Sequence, residues 1–158
     1  MNNYEADDLI GRNRFKEEFG SHYIFQDTTE FAHTDIMMTA CTKSLCYNTE
    51  IKNRNYSIDE IADSAILEKI KLDAFREQYR KDCNRCLIYF NYFTDGWVAY
   101  DMTNRIRYAE GLNKTNTMLL PATTSEDNGA KEKEVVYLCR TNNMYVQDKI
   151  RCYDRNNG

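Results

Sequence analysis

Asp35, Glu50 and Lys52 are the residues of this chain whose types and spacing could carry chemistry. Glu50-Ile51-Lys52 closes a strand-like run from Cys46 to Lys52, and alternate residues of a strand share a face. Glu50 and Lys52 therefore point one way and Ile51 points into the core. Upstream, Thr34 to Cys41 also reads as a strand, and Thr42-Lys43-Ser44-Leu45 is short enough for a hairpin loop. An even-numbered loop sets Asp35 roughly opposite Glu50 or Lys52, on their face of the sheet. Two carboxylates and one amine at a single sheet edge are the minimum kit for metal-dependent phosphodiester cleavage. Mg²⁺ (or Mn²⁺) takes oxygen ligands, here Asp35, Glu50 and the Ile51 carbonyl, and keeps waters beside a substrate phosphate. The ion lowers the pKa of a bound water and offsets charge building on phosphorus. A lysine alongside orients or deprotonates that water, or binds the phosphate.

An acid-x-Lys tripeptide is by itself a weak signal. With 25 acidic residues and 10 lysines in 158 positions, chance supplies about 1.6 matches. Glu50-Ile51-Lys52 is the only one in the chain. The bland alternative is a salt-bridged solvent face on an ordinary hairpin. The apolar middle residue, the strand end and the aspartate one hairpin upstream weigh against it.

The elements that must position these residues are legible in outline. Tyr4 to Phe19 is predicted helical with Gly20 as its stop, and Tyr23 to Thr28 follows as a strand. Ser57-Ile58-Asp59-Glu60 is a capping box that predicts a helical region running to about Lys81, with a break near Asp63-Ser64. Leu87 to Phe93 is nearly continuous in apolar and aromatic residues, as a strand covered on both faces requires. Asp95-Gly96 then turns it into a second strand, Trp97 to Tyr100.

This order of elements, with Asp35 on one strand and Glu50-Ile51-Lys52 on the next, resembles the PD-(D/E)XK nuclease superfamily over roughly residues 4–102. The resemblance implies a restriction-endonuclease-like α/β fold, a mixed central sheet flanked by helices. It implies that Asp35 and Glu50 bind the divalent metal and that Lys52 serves the attacking water. Thr34 stands where that family often has proline. Many members add an acid from the first helix, and Glu5 and Asp8, one turn apart, are both candidates. Both acids also suit a helix N-terminus without any further role. Gln78 and Tyr79 are adjacent, so they do not reproduce the glutamine and tyrosine four residues apart of some exonuclease-like branches.

Size and composition set the bounds. The 158 residues fit one domain: a motif-bearing core at 4–102, a polar loop region at 103–134 and C-terminal strand material at 135–153. No apolar run is long enough to span a bilayer and no basic-then-apolar leader follows Met1, so a cytoplasmic protein is expected. Cys83-Asn84-Arg85-Cys86 has C-x-x-C spacing, but no second pair of ligands accompanies it, so free thiols are expected over a zinc adaptor. His33, two residues before Asp35, is expected at the surface, as is His22. The net charge of −4 excludes a generic nucleic-acid coat protein. An enzyme needs only a local basic rim, for which Arg54, Arg76 and Arg80 are the principal candidates, with Arg12, Arg14 and Lys43 beside them. DNA is the expected partner ahead of RNA, with no membrane and with a homodimer as an option. The rival from another class is a non-catalytic interaction module for nucleic acid or protein on the same fold.

Overall fold

The computed structural model describes residues 3–21, 23–28, 35–40, 45–61, 64–121, 129–139 and 144–148. Helix α1 (Asn3–Phe19) leads into β1 (Tyr23–Asp27), β2 (Ile36–Ala40) and β3 (Cys46–Asn53). One 3₁₀ turn (Ile58–Ile61), β4 (Ser64–Glu68) and α2 (Lys69–Lys81) then cross over to β5 (Cys86–Tyr92). The chain finishes with β6 (Gly96–Asp101), α3 (Met102–Arg107), β7 (Thr115–Pro121), β8 (Ala130–Cys139) and β9 (Met144–Asp148). Six strands form a mixed sheet in the order β1-β2-β3-β5-β6-β9, and β4-β8-β7 form a second, three-stranded sheet. Only β3 and β5 run parallel in the large sheet, which is why a crossover rather than a turn must join them.

Period-2 alternation sorts the core into two layers. Ile51, Phe90 and Tyr92 face α1 and pack with Phe15 and Ile36. Leu87 and Tyr89 face the other way, into a cluster with Leu72 and Phe75 of α2, Met102 of α3 and Leu138 of the small sheet. The doubly covered β5 read from its continuous apolar run is therefore present. Among the described residues no helix is long and apolar enough to cross a membrane.

Two expectations need correction. The helix predicted from Ser57 to Lys81 is a 3₁₀ turn, then β4, then α2. The capping box forms in part, since Ser57 N–H donates to Glu60 Oε1 at 3.1 Å. Glu60 N–H, however, donates to the Ser57 backbone oxygen at 3.1 Å, which closes a single turn rather than opening a helix. In Ser64–Glu68 the buried Ala65 and Leu67 alternate with Ile66, a strand period that pairs with β8. The polar region at 103–134 is likewise not all loop. Asp101 caps α3 by accepting from Asn104 N–H at 3.0 Å, and β7 pairs antiparallel with β8 from Ala130 to Val136. Residues 122–128 and the Thr42-Lys43-Ser44 loop lie outside the described residues, as do His22 and His33.

Candidate active site

The site is assembled at the C-terminal end of β3. Glu50 and Lys52 share the face turned towards α2, and Glu50 Oε1 lies 3.4 Å from Lys52 Nζ. The β2–β3 register pairs Ile36 with Thr49, and one further step brings Asp35 level with Glu50, as the hairpin argument requires. Asp35 sits just ahead of β2 and is locked there by its own backbone, whose N–H donates to Thr49 O at 3.1 Å. Its carboxylate accepts from Ile51 N–H at 2.9 Å through Oδ2 and from Arg12 Nη2 at 2.8 Å through Oδ1.

Helix α1 supplies the rest of that edge because it can come close. A Cβ at Gly11 would lie 3.3 Å from both Ile51 Cγ2 and Asn53 Cβ, so glycine allows the helix to rest on β3. One turn earlier, Asp8 Oδ1 then lies 4.0 Å from Lys52 Nζ, and the next residue along, Arg12, meets Asp35. Of the two candidate first-helix acids, Asp8 lies beside Lys52. The Glu5 side chain lies outside the described set.

Burial governs the electrostatics. Glu50 is 1% exposed, and desolvation pushes its carboxyl above the ordinary value, with Lys52 and Lys71 opposing the shift and Asp35 adding to it. Desolvation raises Asp8 too, against the attraction of Lys52. Burial alone would depress the Lys52 ammonium, yet Glu50, Asp8 and Asp35 together hold it above its ordinary value. Glu50 Oε2 is buried and meets no hydrogen-bond donor among the described residues.

Several residues differ from the sequence reading. Lys71 of α2 places Nζ 3.0 Å from Glu50 Oε1, a partner the sequence reading did not name. Seven residues on, Gln78 accepts from Asn48 Nδ2 at 2.8 Å, so α2 lies along β3 with its polar side on the strand. Arg12, taken as a rim candidate, is the ion-pair partner of Asp35. Arg14 lies over the Tyr92 ring, 4.1 Å from its centroid.

The expected basic rim does not converge. Arg54 turns inward, donating from Nε to Asn91 Oδ1 at 3.2 Å and from Nη2 to Tyr89 Oη at 3.0 Å. Tyr89 and burial dominate its environment, and the tyrosine contact raises its pKa. Arg76 and Arg80 stand on an exposed face of α2, each paired within the helix, to Asp73 and Glu77. Leu72, Ala74 and Phe75 must face the core, and that fixes the helix rotation and turns Arg76 and Arg80 away from Glu50.

Oxygen donors from Asp8, Asp35 and Glu50, with the buried and donorless Glu50 Oε2, are chemically suited to a hard divalent cation. Among the described residues no three acidic, histidine or cysteine side chains form a closed cage. Each acid is instead paired with a cation: Lys52 bridges Asp8 and Glu50, while Arg12 holds Asp35.

A mixed sheet carrying this Asp, Glu-x-Lys edge, with α1 on one face and α2 on the other, is the restriction-endonuclease-like fold. The architecture is similar to that of Hjc, a Holliday junction resolvase from the archaeal hyperthermophile Archaeoglobus fulgidus. The two share 10% sequence identity and a TM-score of 0.50, over 82% of this chain and 83% of the resolvase. No protein-family model matches the sequence, and no curated protein does.

Proposed function

We propose that this chain is a divalent-metal-dependent nuclease of PD-(D/E)XK type that hydrolyses phosphodiester bonds, in DNA ahead of RNA, in the cytoplasm. The observation that carries the reading is Glu50. A fully buried carboxylate whose Oε2 meets no donor among the described residues, level with Asp35 and beside Lys52, is a poor structural choice and a good ligand. The nuclease fold shared with the resolvase supports it. Asp35 and Glu50 would hold Mg²⁺ or Mn²⁺, with the Ile51 carbonyl and Asp8 as further oxygens. When bound, such an ion supplies a more acidic water and offsets charge on the phosphate.

The residues divide the remaining work. Glu50 on β3 and Asp35 just ahead of β2 would fix the position of the reacting centre. Lys52, beside Glu50 on the same strand face, would orient or deprotonate the attacking water, or bind a phosphate oxygen. Asp8 and Glu50 hold its ammonium between them.

A second reading, a non-catalytic interaction module on the same fold, is favoured by one set of observations. Arg54 is turned inward, Arg76 and Arg80 are away from the site, and the chain carries a net charge of −4. Incubating the purified protein with linear, circular and four-way branched DNA and with RNA, in Mg²⁺, Mn²⁺ or chelator, separates the two. Cleavage that needs the metal and disappears in Glu50→Gln supports the nuclease. Binding without cleavage under every condition would establish the module.

A further inference from the structure

We propose that Arg12 is a further substrate-contacting residue of this site, a bridge whose Nη2 stays on Asp35 while its other guanidinium donors take a phosphate oxygen of a nucleic-acid backbone. The inference rests on the nuclease reading above and adds to it a residue and a role. Arg12 Nη2 donates to Asp35 Oδ1 at 2.8 Å, and Asp35 Oδ2 already accepts from Ile51 N–H at 2.9 Å. A guanidinium often meets a carboxylate through two parallel N–H bonds, one to each oxygen. Here the Ile51 amide holds the second oxygen, and the pair rests on a single bond. Arg12 Nε is buried and meets no acceptor among the described residues. A side chain with several donors in a fixed fork thus uses only part of it on Asp35.

The position of Arg12 suits a second partner. Helix α1 rests on β3 at Gly11, so the next residue emerges where Asp35 and Ile51 meet. The Arg12 side chain is 31% exposed against 12% for Asp35, which sets the guanidinium between the carboxylate and solvent. The other arginines are committed elsewhere: Arg54 to Asn91 and Tyr89, Arg14 to the Tyr92 ring, and Arg76 and Arg80 to acids on the outer face of α2. Asp35 keeps its own capacity, because each oxygen accepts one of these bonds and retains a second lone pair for a divalent ion. The bond to Asp35 also fixes the guanidinium in advance, so a phosphate meets donors that are already oriented. Charge points the same way. Three carboxylates (Asp8, Asp35, Glu50) and three cations (Arg12, Lys52, Lys71) balance at this edge. A bound divalent ion then leaves an excess of positive charge, and a polyanion backbone is the chemistry that fits it.

The experiment uses the full chain and two probes. Mn²⁺ binding without DNA is measured by calorimetry, and binding of a labelled DNA duplex with Ca²⁺ by fluorescence anisotropy across a salt series. Arg12→Met should bind DNA about tenfold more weakly, with a salt slope shallower by about one phosphate contact, and hold Mn²⁺ to within about threefold of wild type. Arg12→Lys keeps one bond to Asp35 but lacks the fork that serves two partners. It should keep the wild-type Tm to within about 2 °C yet bind DNA about fivefold more weakly. Arg76→Met, which removes the same charge from the outer face of α2, should match wild type in both assays. Wild-type DNA affinity and slope in Arg12→Met or Arg12→Lys would overturn the bridge, as would an equal loss of DNA affinity in Arg76→Met. Mn²⁺ binding weakened about tenfold or more in Arg12→Lys would overturn it too, by showing that Arg12 acts only through Asp35. Each of these results leaves the nuclease reading intact. Failure of the wild-type chain to bind Mn²⁺ at all would overturn both.

Discussion

Removing the Asp35 carboxylate sets two effects of opposite sign against each other, and the structure decides between them. Asp35 repels its neighbours, raising the carboxyl pKa of both Asp8 and Glu50, so Asp35→Ala relieves repulsion. Against this stand two hydrogen bonds to a charged acceptor, from Arg12 Nη2 at 2.8 Å and from Ile51 N–H at 2.9 Å. Such bonds contribute about 1.5–3 kcal/mol each, and an amide left buried without a partner costs a similar amount. The Arg12 and Asp35 side chains are 31% and 12% exposed, so solvent screening takes that pair to the lower end. The bonds win. Metal-free Asp35→Ala should lose about 2–4 kcal/mol, or roughly 5–15 °C in Tm for a domain of this size. Asp35→Asn, which keeps one oxygen acceptor, should lose about half as much.

Urea denaturation with chelator present measures the stability, and a double-mutant cycle with Arg12→Ala isolates the pair, with an expected coupling of about 1–2 kcal/mol. Addition of Mn²⁺ should raise the wild-type Tm and leave Asp35→Ala unmoved, because a ligand bound only by the native state stabilises it. An Asp35→Ala protein as stable as wild type would refute the latch. An undiminished Mn²⁺ shift would remove Asp35 from the metal site.

Three further outcomes are expected. Lys52→Ala should leave Mn²⁺ affinity within a fewfold but slow cleavage by about 10²-fold or more, and wild-type cleavage rates would end its assignment. Arg54→Ala should lower stability by roughly 2–3 kcal/mol through loss of its bonds to Asn91 and Tyr89, with an unchanged salt slope for DNA binding; a shallower slope would return it to the nucleic-acid rim. Glu50 and Asp8 have raised native pKa values, so the native state holds protons that the unfolded state has released. Metal-free stability from these two groups therefore rises as pH falls from about 7 towards their ordinary values of 4.5 and 3.8, and Glu50→Gln should flatten that rise in denaturation curves. Protons compete with metal over the same window, so the Mn²⁺-induced Tm shift should shrink as pH falls.

The legible part of this fold is the part in which one residue type has one use. Strand alternation set Glu50 and Lys52 on one face, and hairpin parity placed Asp35 level with Glu50, because side-chain period in a strand admits no intermediate value. Ser64–Glu68 was misread because Ala65 and Ile66 fit a helical stripe as well as a strand, and only pairing with β8 chooses. That misreading hid the true start of α2 at Lys69. With the start hidden, neither the first-turn lysines nor the rotation of the helix could be read, so Lys71 was missed and Arg76 and Arg80 were aimed at the wrong neighbour. Arg54 failed for a different reason: an arginine two residues past the motif continues the same face, but that face has already passed under the crossover, where Tyr89 and Asn91 collect it.

The scatter of Arg54, Arg76 and Arg80 bears on how an acidic chain would engage an acidic polymer. The cations nearest Glu50 and Asp35 are occupied by carboxylates of the same protein, so without metal the edge presents almost no net field. A surface of that kind does not hold DNA unproductively, and the net charge of −4 discourages non-specific binding elsewhere. Under the nuclease reading, attraction would then have to arise at the proposed centre itself, where the candidate metal ligands and their counter-ions are the same few residues. Under that reading, affinity for substrate and readiness for chemistry would then be set together, by whether a divalent ion occupies Glu50 and Asp35.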